Sequence, residues 1–359
     1  MNDPNSIPPG QEWSVTLFSP EDASGVTALF QAVYGNDYPV KAYLDPETLI
    51  RENRAGTIVS SIAKTSGGDV VGHNALFNSA PCKQVFESGA GLVHRDYRGG
   101  QGIFTQMVSH GLALGPEIFK NIEQVFGEPV CNHPFSQKMG RKNGFVTRAL
   151  EVNLMPAEAY VKEGSARGRV SALLYFKTVR SRPCAVYMPA VYADLFGFLY
   201  DDMDDERDFV LSDQPLPPDS ATRLTTQVFD FAGVARIALE EVGSDLAAVF
   251  AEEEARLLDA GIRVIQVWVS TGVPFAGAVV DFFRSGGYFL GGVLPRWFDA
   301  DGLLMQKVVD PPEWDQMVLY YPRDREIGKM VRADYDQAKG QRFLSSHAGP
   351  GSQQGDPVS

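Results

Sequence analysis

Residues 86–114 read FESGAGLVHRDYRGGQGIFTQMVSHGLAL, and this stretch decides the fold of the first half of the chain. Apolar and small residues up to Val93 predict a strand, the glycines at 99, 100 and 102 predict a tight turn, and apolar residues at helical spacing from Ile103 predict a helix. Glycine adopts positive φ readily, and a helix N-terminus attracts anions. The stretch therefore predicts a phosphate cradle, although the glycines alone fit a ligand-free turn equally well.

The composition describes an ordinary soluble protein of two domains. The chain has 359 residues, 44% apolar and 21% charged, with 45 acidic against 32 basic residues and a net charge of −13. Such a charge repels nucleic acid and anionic membrane surfaces but attracts cationic ligands such as amines. We therefore expect neither nucleic acid nor a membrane as a partner, and a small-molecule amine as a ligand.

The sequence also favours a reduced, cytoplasmic setting without a metal. No apolar run approaches the ~18–20 residues of a membrane span, and residues 1–11 are polar and proline-rich, unlike a signal peptide. The three cysteines are scattered, as are the five histidines, and no HExxH motif is present. We expect no resident metal ion.

The order of the predicted elements repeats. Strands over 57–64, 70–77 and 83–93 precede the glycine turn, and later a helix opens at Pro134-Phe135 and a strand at Gly144-Phe145. The second half shows the same succession at Pro274-Phe275 and Gly287-Tyr288. We interpret this as a duplicated unit whose second copy is truncated at its front, with mixed α/β structure and a largely antiparallel sheet.

The predicted domain boundaries follow from this repeat. We expect a disordered N-terminus (1–11), a first domain (12–180), a helical bridge and linker (181–220), a second domain (221–342) and a disordered tail (343–359). The bridge is predicted to contain a helix over 187–200 and a solvated acidic run over 201–206, for which a metal or amine site is the alternative.

Residues 12–155 resemble the GNAT superfamily of acyl-CoA-dependent N-acyltransferases. The string YRGGQGI (97–103) looks like the pyrophosphate-binding motif of that family with one extra residue, and SQKMGRKNGF (136–145) is similar to its second cofactor-side motif. Residues 220–310 resemble a weaker copy without the glycine turn. The resemblance implies two GNAT-like domains in tandem, each a mixed, mostly antiparallel sheet flanked by helices, with the second domain degenerate.

The resemblance implies acetyl-CoA, or another acyl-CoA, as cosubstrate. Its pyrophosphate would be held at the glycine turn by Arg98, Gly99, Gly100, Gln101, Gly102, Ile103 and Phe104. The backbone of Leu92 and Val93 would contact the pantetheine arm and the thioester carbonyl, and Asn132 would bind the arm as well. One such site is expected in each chain.

The implied chemistry is direct attack of an amine on the thioester. Glu87, on the strand that leads into the glycine turn, is our candidate for the general base. The predicted helix at about 134–143 has no tyrosine, whereas family members often have one there that protonates the departing thiolate. Ser136 and His133 are therefore the candidates in this region. His94 is predicted to be a surface contact, and we expect no covalent relay at Cys131.

The sequence thus predicts an N-acetyltransferase acting on the amine of a small molecule. A catalytically inactive acyl-CoA-binding or sensing protein stays open as the alternative, and a homodimer is compatible with the sequence. A nucleotide-binding α/β fold is disfavoured because its glycine loop should follow the first strand. In the second half, Trp268, Trp297 and Phe298 are expected either to line a substrate pocket or to fill the core.

Overall fold

The computed structural model describes residues 7–35, 38, 40–100, 102–157, 168–203 and 206–347. The helices in these residues are α1 (Ala23–Tyr34), α2 (Pro46–Ala55), α3 (Ile103–Ile118), α4 (Phe135–Lys142), α5 (Ala193–Leu199), α6 (Leu246–Asp259), α7 (Ala276–Ser285) and α8 (Pro322–His347). The strands of the first half are β1 (Trp13–Leu17), β2 (Ile58–Thr65), β3 (Val70–Phe77), β4 (Val85–Val93), β5 (Gln124–Gly127), β6 (Val146–Pro156) and β7 (Arg169–Thr178). They are followed by β8 (Cys184–Pro189), β9 (Arg207–Ser212), β10 (Arg223–Phe229), β11 (Val234–Glu241), β12 (Val264–Ser270), β13 (Phe289–Leu294) and β14 (Gly302–Val308).

One twelve-stranded sheet runs through both halves in the order β1-β2-β3-β4-β5-β7-β6-β13-β14-β12-β11-β10. Parallel pairing is found at β4–β5 and at β11–β12, and the other neighbours in this sheet are antiparallel. The fold is therefore mixed α/β with a mostly antiparallel sheet, as the sequence predicts.

The duplication is visible in the strand order. The succession β3-β4-β5-β7-β6 of the first half recurs as β10-β11-β12-β14-β13 in the second, with α6 and α7 in the places of α3 and α4. The two copies join through their equivalent edge strands, where Gly292 of β13 pairs with Ala149 of β6. A Cβ on Gly292 would lie 2.3 Å from the carbonyl oxygen of Arg148, so glycine permits this close approach.

The helices of the first half cover opposite faces of the sheet. Ile62 packs in the cluster of α1 and α2, whereas the next residue, Ala63, packs in the cluster of α3. Since neighbouring residues on a strand point to opposite faces, α1 and α2 lie on one face and α3 lies on the other. Phe86 of β4 and Met139 of α4 share a cluster with α3, so α4 lies on the α3 face.

The bridge differs from its prediction. The predicted helix over 187–200 is wrong in its first part, because Tyr187 lies in β8 and pairs in parallel with Val210 of β9. Only α5 is α-helical there. The six register pairs between β8 and β9 outweigh the local helical pattern. Such pairing with a distant segment cannot be read from the sequence of one segment alone. In the acidic run, Asp201 forms an ion pair with Arg323, and positions 204 and 205 lie outside the described residues.

The C-terminal helix α8 was not predicted. It packs against β13 and β6 and buries Ile327, Val331 and Tyr335 in the large core of the second half. The predicted tail begins inside this helix, which continues to His347, and residues 348–359 lie outside the described part of the chain, as do residues 1–6 at the N-terminus.

Candidate active site

The glycine turn has the backbone that its sequence predicts. Gly99, Gly100 and Gly102 have φ of 95°, 117° and 76°, and no atom lies within 4 Å of a Cβ built on any of them. Gly102 is the N-cap of α3, so the first amides of that helix have no partner within the helix. The turn therefore presents backbone donors and the positive end of the helix dipole to an exposed space of the kind that binds a phosphate. Gln101 lies outside the described residues.

The side chains around the turn mostly hold it in shape. Ile103 and Leu92 are buried, so they can contribute only backbone groups to a ligand. Phe104 packs over Gly91, where a Cβ would lie 2.3 Å from its ring. The Nε of Arg98 donates to the carbonyl oxygen of Val93 at 2.8 Å and closes the turn. His94, predicted at the surface, is instead buried, and its Nδ1 accepts from the backbone N–H of Asp96.

Strands β4 and β5 separate just before this turn. Their parallel register covers only Val85 to Glu87, and Glu87 pairs with Phe126. Strand β5 ends one residue later at Gly127, while β4 continues to Val93 through a bulge at Ala90, whose φ is +49°. Beyond this fork, the edge of β4 at residues 88–93 is available to an extended ligand. That edge leads directly to the N-terminus of α3.

Glu87 lies at this fork, on the face of the sheet opposite Phe86 and α3. Ser79 Oγ donates to Glu87 Oε2 at 2.7 Å. Burial, and next the charge of Glu128, raise the pKa of Glu87 to about 7, against the lowering effects of the Ser79 hydrogen bond and of Arg236. A carboxylate with that pKa is half ionised near neutral pH, as a general base requires.

A buried ionic cluster joins this region to the second half. Arg236 of β11 donates to Glu128 at 2.7 Å and to Glu151 of β6 at 3.0 Å. Gln266 donates to the same Glu151 oxygen at 2.9 Å. Burial, and then the charge of Glu128, raise the pKa of Glu151 to about 8. The sequence analysis missed this cluster because its members come from four distant segments.

Arg236 is the counterpart of Glu87 in the second copy. In the first half, the row of register partners from β4 to β6 consists of Glu87, Phe126, Phe176 and Val146. In the second half, the row from β11 to β13 consists of Arg236, Gln266, Gln306 and Phe289. The last residue of each row lies two positions after a glycine. This glycine is Gly144, after α4, in the first half and Gly287, after α7, in the second. The position of the candidate base in the first half thus holds a cation in the second.

The second half also lacks a usable turn before its equivalent helix. A Cβ on Gly243 would lie 1.8 Å from the carbonyl oxygen of Ser220, and the Gly243 N–H already donates to Thr222 Oγ1. Asp245, the N-cap of α6, accepts from the Thr222 N–H at 2.8 Å. In the second half, the segment before β10 therefore fills the space that corresponds to the open space at the glycine turn of the first half.

The residues after β5 form a second group of candidates. Asn132 and His133 precede α4, and the His133 ring lies 5.2 Å from that of Phe135. Ser136 is the second residue of α4, and its buried Oγ has no hydrogen-bond partner in the described part of the chain. Cys131 is buried, and burial raises its pKa above the ordinary range of a thiol, which disfavours a nucleophilic role.

Two tryptophans of the second half lie in the core. Trp268 and Trp297 are buried and share a cluster with Val85 and Phe126 of the first half, and Phe298 packs against it. Within the described residues, no group of three histidine, cysteine or acidic side chains is placed to hold a metal ion. Nor does any helix in those ranges have the length and apolar character to cross a membrane.

Comparison with known proteins gives structural matches only. No protein-family model and no curated protein matches the chain. The solved structures that match include the ribosomal-protein-S5-alanine acetyltransferase from Vibrio fischeri, at 14% identity and a TM-score of 0.37, over 46% of this chain and 92% of that one. A second is the spermidine N-acetyltransferase from Vibrio cholerae in complex with CoA and spermine, at 11% identity and a TM-score of 0.36, over 46% and 95% of the two chains.

A third match is a putative acetyltransferase from Salmonella typhimurium with its cofactor acetyl-CoA, at 10% identity and a TM-score of 0.38, over 48% of this chain and 96% of that one. The matched structures are thus GNAT acetyltransferases that correspond in size to about half of this chain.

Proposed function

We propose that the protein transfers an acetyl group from acetyl-CoA, or a related acyl group from its CoA thioester, to the amine of a small molecule. The observation that carries this proposal is the continuous path from Glu87, at the fork of β4 and β5, along the edge of β4 to the glycine turn at α3. An extended ligand with a pyrophosphate at one end and a reactive carbonyl at the other fits that path. Its pyrophosphate would lie at the N-terminus of α3, and its carbonyl would lie toward Glu87. The acetyltransferases among the structural matches, two of them with CoA or acetyl-CoA, are compatible with this assignment.

Each part of the path would have its own task. The amides of residues 99–104 would hold the pyrophosphate, and the edge of β4 at Leu92 and Val93 would hold the pantetheine arm and polarise the thioester carbonyl. Glu87 would take the proton of the attacking amine, directly or through water. We assign binding of acyl-CoA to residues 12–180, because the corresponding turn of the second half is filled by its own chain.

The acceptor would enter from the face opposite α3, between the two halves. Glu87 and Glu128 are partly exposed there, and their carboxylates would attract a cationic amine. The second half contributes Arg236 to this region, so it would shape the acceptor site without holding a cosubstrate of its own.

Calorimetry with CoA tests the cradle. Gly102→Asp places a carboxylate in the open space at the N-terminus of α3, and we expect at least about a tenfold loss of affinity through repulsion of the pyrophosphate. Gly56→Asp is the matched control, because Gly56 has the same left-handed backbone (φ 72°) and open surroundings at the C-terminus of α2. Equal affinities in the Gly102 variant and the wild-type protein would remove the basis of the proposal.

Release of free thiol from acetyl-CoA in the presence of an amine library separates enzyme from sensor. Turnover that depends on the amine supports the acetyltransferase. Tight CoA binding without thiol release by any amine would instead favour an acyl-CoA-sensing protein.

A further inference from the structure

Gly89 of β4 makes room for the carboxylate of Glu87. A Cβ on Gly89 would lie 2.4 Å from Glu87 Oε1 and 3.0 Å from the ring of Phe77. The Glu87 side chain therefore leans along β4 toward residue 89, on the face of the sheet opposite α3. Because the register between β4 and β5 ends at Glu87, its carboxylate lies beyond the last strand pair, at the fork.

Glu128 lies across the fork from this carboxylate. Glu87 pairs with Phe126, and Glu128 is the second residue after Phe126, so a continued parallel register would place Glu128 opposite Gly89 and on the face of Glu87. Pro129 favours an extended backbone at Glu128, which preserves this alternation. After burial, the charge of Glu128 is the largest influence that raises the pKa of Glu87. One carboxylate from each strand thus flanks the fork.

Arg236 of β11 reaches Glu128 from the second half. Its Nη2 donates to Glu128 Oε1 at 2.7 Å and to Glu151 Oε1 at 3.0 Å, and its Nε donates to Gln266 Oε1 at 2.9 Å. Glu151 and Gln266 are buried, whereas Glu128 is partly exposed at the fork. Strands β6 and β12 therefore hold the guanidinium in one orientation, in which it faces Glu128.

Glu128 and Arg236 are the charged groups with the largest influence on Glu87. The other titratable groups that face Glu87 are phenols, those of Tyr38, Tyr43 and Tyr175. Burial first, and the charge of Glu87 among the further causes, raise the pKa of each phenol, so these groups are neutral near pH 7. Burial lowers the pKa of Arg236, but its two carboxylate partners outweigh burial and raise it, so the guanidinium stays charged.

We propose that Arg236 is a positioning residue for acyl transfer, which holds Glu128 across the fork and keeps Glu87 able to accept a proton near neutral pH, a role that rests on the proposed function. Without the guanidinium, the two carboxylates at the fork would repel each other, and Glu87 would retain its proton to a higher pH. With it, the charge of Glu128 is compensated at a distance of one hydrogen bond.

The duplicated architecture gives the second half this task. Position 236 is the equivalent of position 87, in the copy whose glycine turn is filled by its own chain. Arg236 would thus serve the base of the other copy. An ion pair with Glu151 alone would suffice to join β11 to β6, so the additional contact with the partly exposed Glu128 is the one that points to the reaction.

The test measures how kcat/KM depends on pH in the wild-type enzyme, in Arg236→Met, in Glu128→Gln and in the double variant. Each protein is compared with the same protein carrying Glu87→Gln, so that the ionisation of the acceptor amine cancels in the ratio. Loss of the cation should raise the pH midpoint of this ratio by about one unit, and loss of the Glu128 charge should lower it by about one unit. The double variant should return to within about half a unit of the wild type, because the two charges act in opposite directions.

Glu128→Gln keeps the ion pair between Arg236 and Glu151, so it tests the role even if Arg236→Met does not fold. Arg256→Met is the matched control, because it removes a cation of the second half whose ion pair with Glu253 lies on α6, and its midpoint should equal that of the wild type. Unchanged midpoints in both single variants, with amine-dependent turnover intact, would overturn the positioning role and leave the proposed function standing. Absence of turnover in the wild-type enzyme with every amine would overturn the proposed function and this role together.

Discussion

Replacement of Glu87 by glutamine should remove the proposed general base and leave the shape of the site intact. Proton transfer by a positioned side chain contributes about 10²–10⁴ to the rate, so kcat/KM should fall by that factor, or about 3–5 kcal/mol of transition-state stabilisation. Because a base at Glu87 would act in its ionised form, and burial raises the pKa of Glu87 to about 7, the contribution of the base should grow as the pH rises toward 7 and level off above it. The loss in Glu87→Gln is accordingly largest on the alkaline side.

Removal of the hydrogen bond from Ser79 should shift the pKa of Glu87 by an amount that the strength of this bond sets. A bond of 2.7 Å to a charged carboxylate contributes about 1.5 kcal/mol, at the lower end of the range because Ser79 is exposed. At about 1.4 kcal/mol per pKa unit, Ser79→Ala should raise the pKa of Glu87 by about one unit. Activity should then fall about fivefold at pH 7 and return to the wild-type value well above the new pKa.

The assay is the ratio of kcat/KM between wild-type enzyme and Glu87→Gln, measured from about pH 5.5 to 9.5 with one acceptor. The ionisation of the substrate amine is common to both enzymes and cancels in this ratio. Ser88→Ala is the control for Ser79→Ala, since Ser88 accepts from Asn74 and, next to Glu87 on β4, points to the other face. A ratio of kcat/KM that does not vary with pH would refute the assignment of Glu87 as the base. So would a Ser79→Ala enzyme whose activity has the same pH midpoint as the wild type.

Three further substitutions test the surroundings of the site. At about pH 9, Arg236→Met should cost about 3–5 kcal/mol of folding free energy in urea unfolding, because it leaves the buried carboxylate of Glu151 without its cation. The loss should be larger at about pH 9 than at pH 6, because Glu151, whose pKa is raised to about 8 in the folded protein, is protonated at the lower pH and needs the charge of Arg236 only once it ionises. Gly140→Ala should cost about 1–3 kcal/mol of folding free energy, because its Cβ would lie 2.4 Å from the Tyr175 ring. Cys131→Ala should keep turnover, and Cys131 in the folded protein should resist thiol reagents, because it is buried with a raised pKa.

Each of these substitutions has a matched control elsewhere in the chain. Arg256→Met removes an exposed pair with Glu253 and should cost less than about 1 kcal/mol at either pH. Gly111→Ala adds a methyl group whose nearest atom lies 3.6 Å away, inside α3, and should be neutral or stabilising. Cys184, which is partly exposed, should react with the thiol reagent before Cys131 does. Equal losses at both pH values, a neutral Gly140→Ala or rapid modification of Cys131 would contradict the respective reasoning.

Local patterns in the sequence predicted the glycine turn and the elements on either side of it. Positive φ at Gly102 and the start of α3 at Ile103 are set within a few residues of one another, by the freedom of glycine and the helical spacing that follows. Glu87 was a candidate for the same reason, since it lies on the strand that enters the turn. The roles proposed for the individual residues stay predictions until the variants are measured.

The partners of Glu87 could not be predicted in this way. Arg236 and Glu151 meet across strands of different halves, and only the β6–β13 junction brings those halves into one sheet. The packing of Tyr175 offered no signal beyond an apolar strand, because it depends on Gly127 and Gly140, which lie far away along the chain. The repeated strand order was the one clue in the sequence to the equivalence of position 236 with position 87.

The sequence by itself indicated two copies of one α/β unit, and a glycine turn that opens a helix in the first copy alone, because periodicity and glycine backbone freedom are local properties. Tertiary structure alone decided which charges and hydroxyl groups surround the fork. Strand register and the contact between the copies place those side chains, and both depend on packing between segments far apart along the chain.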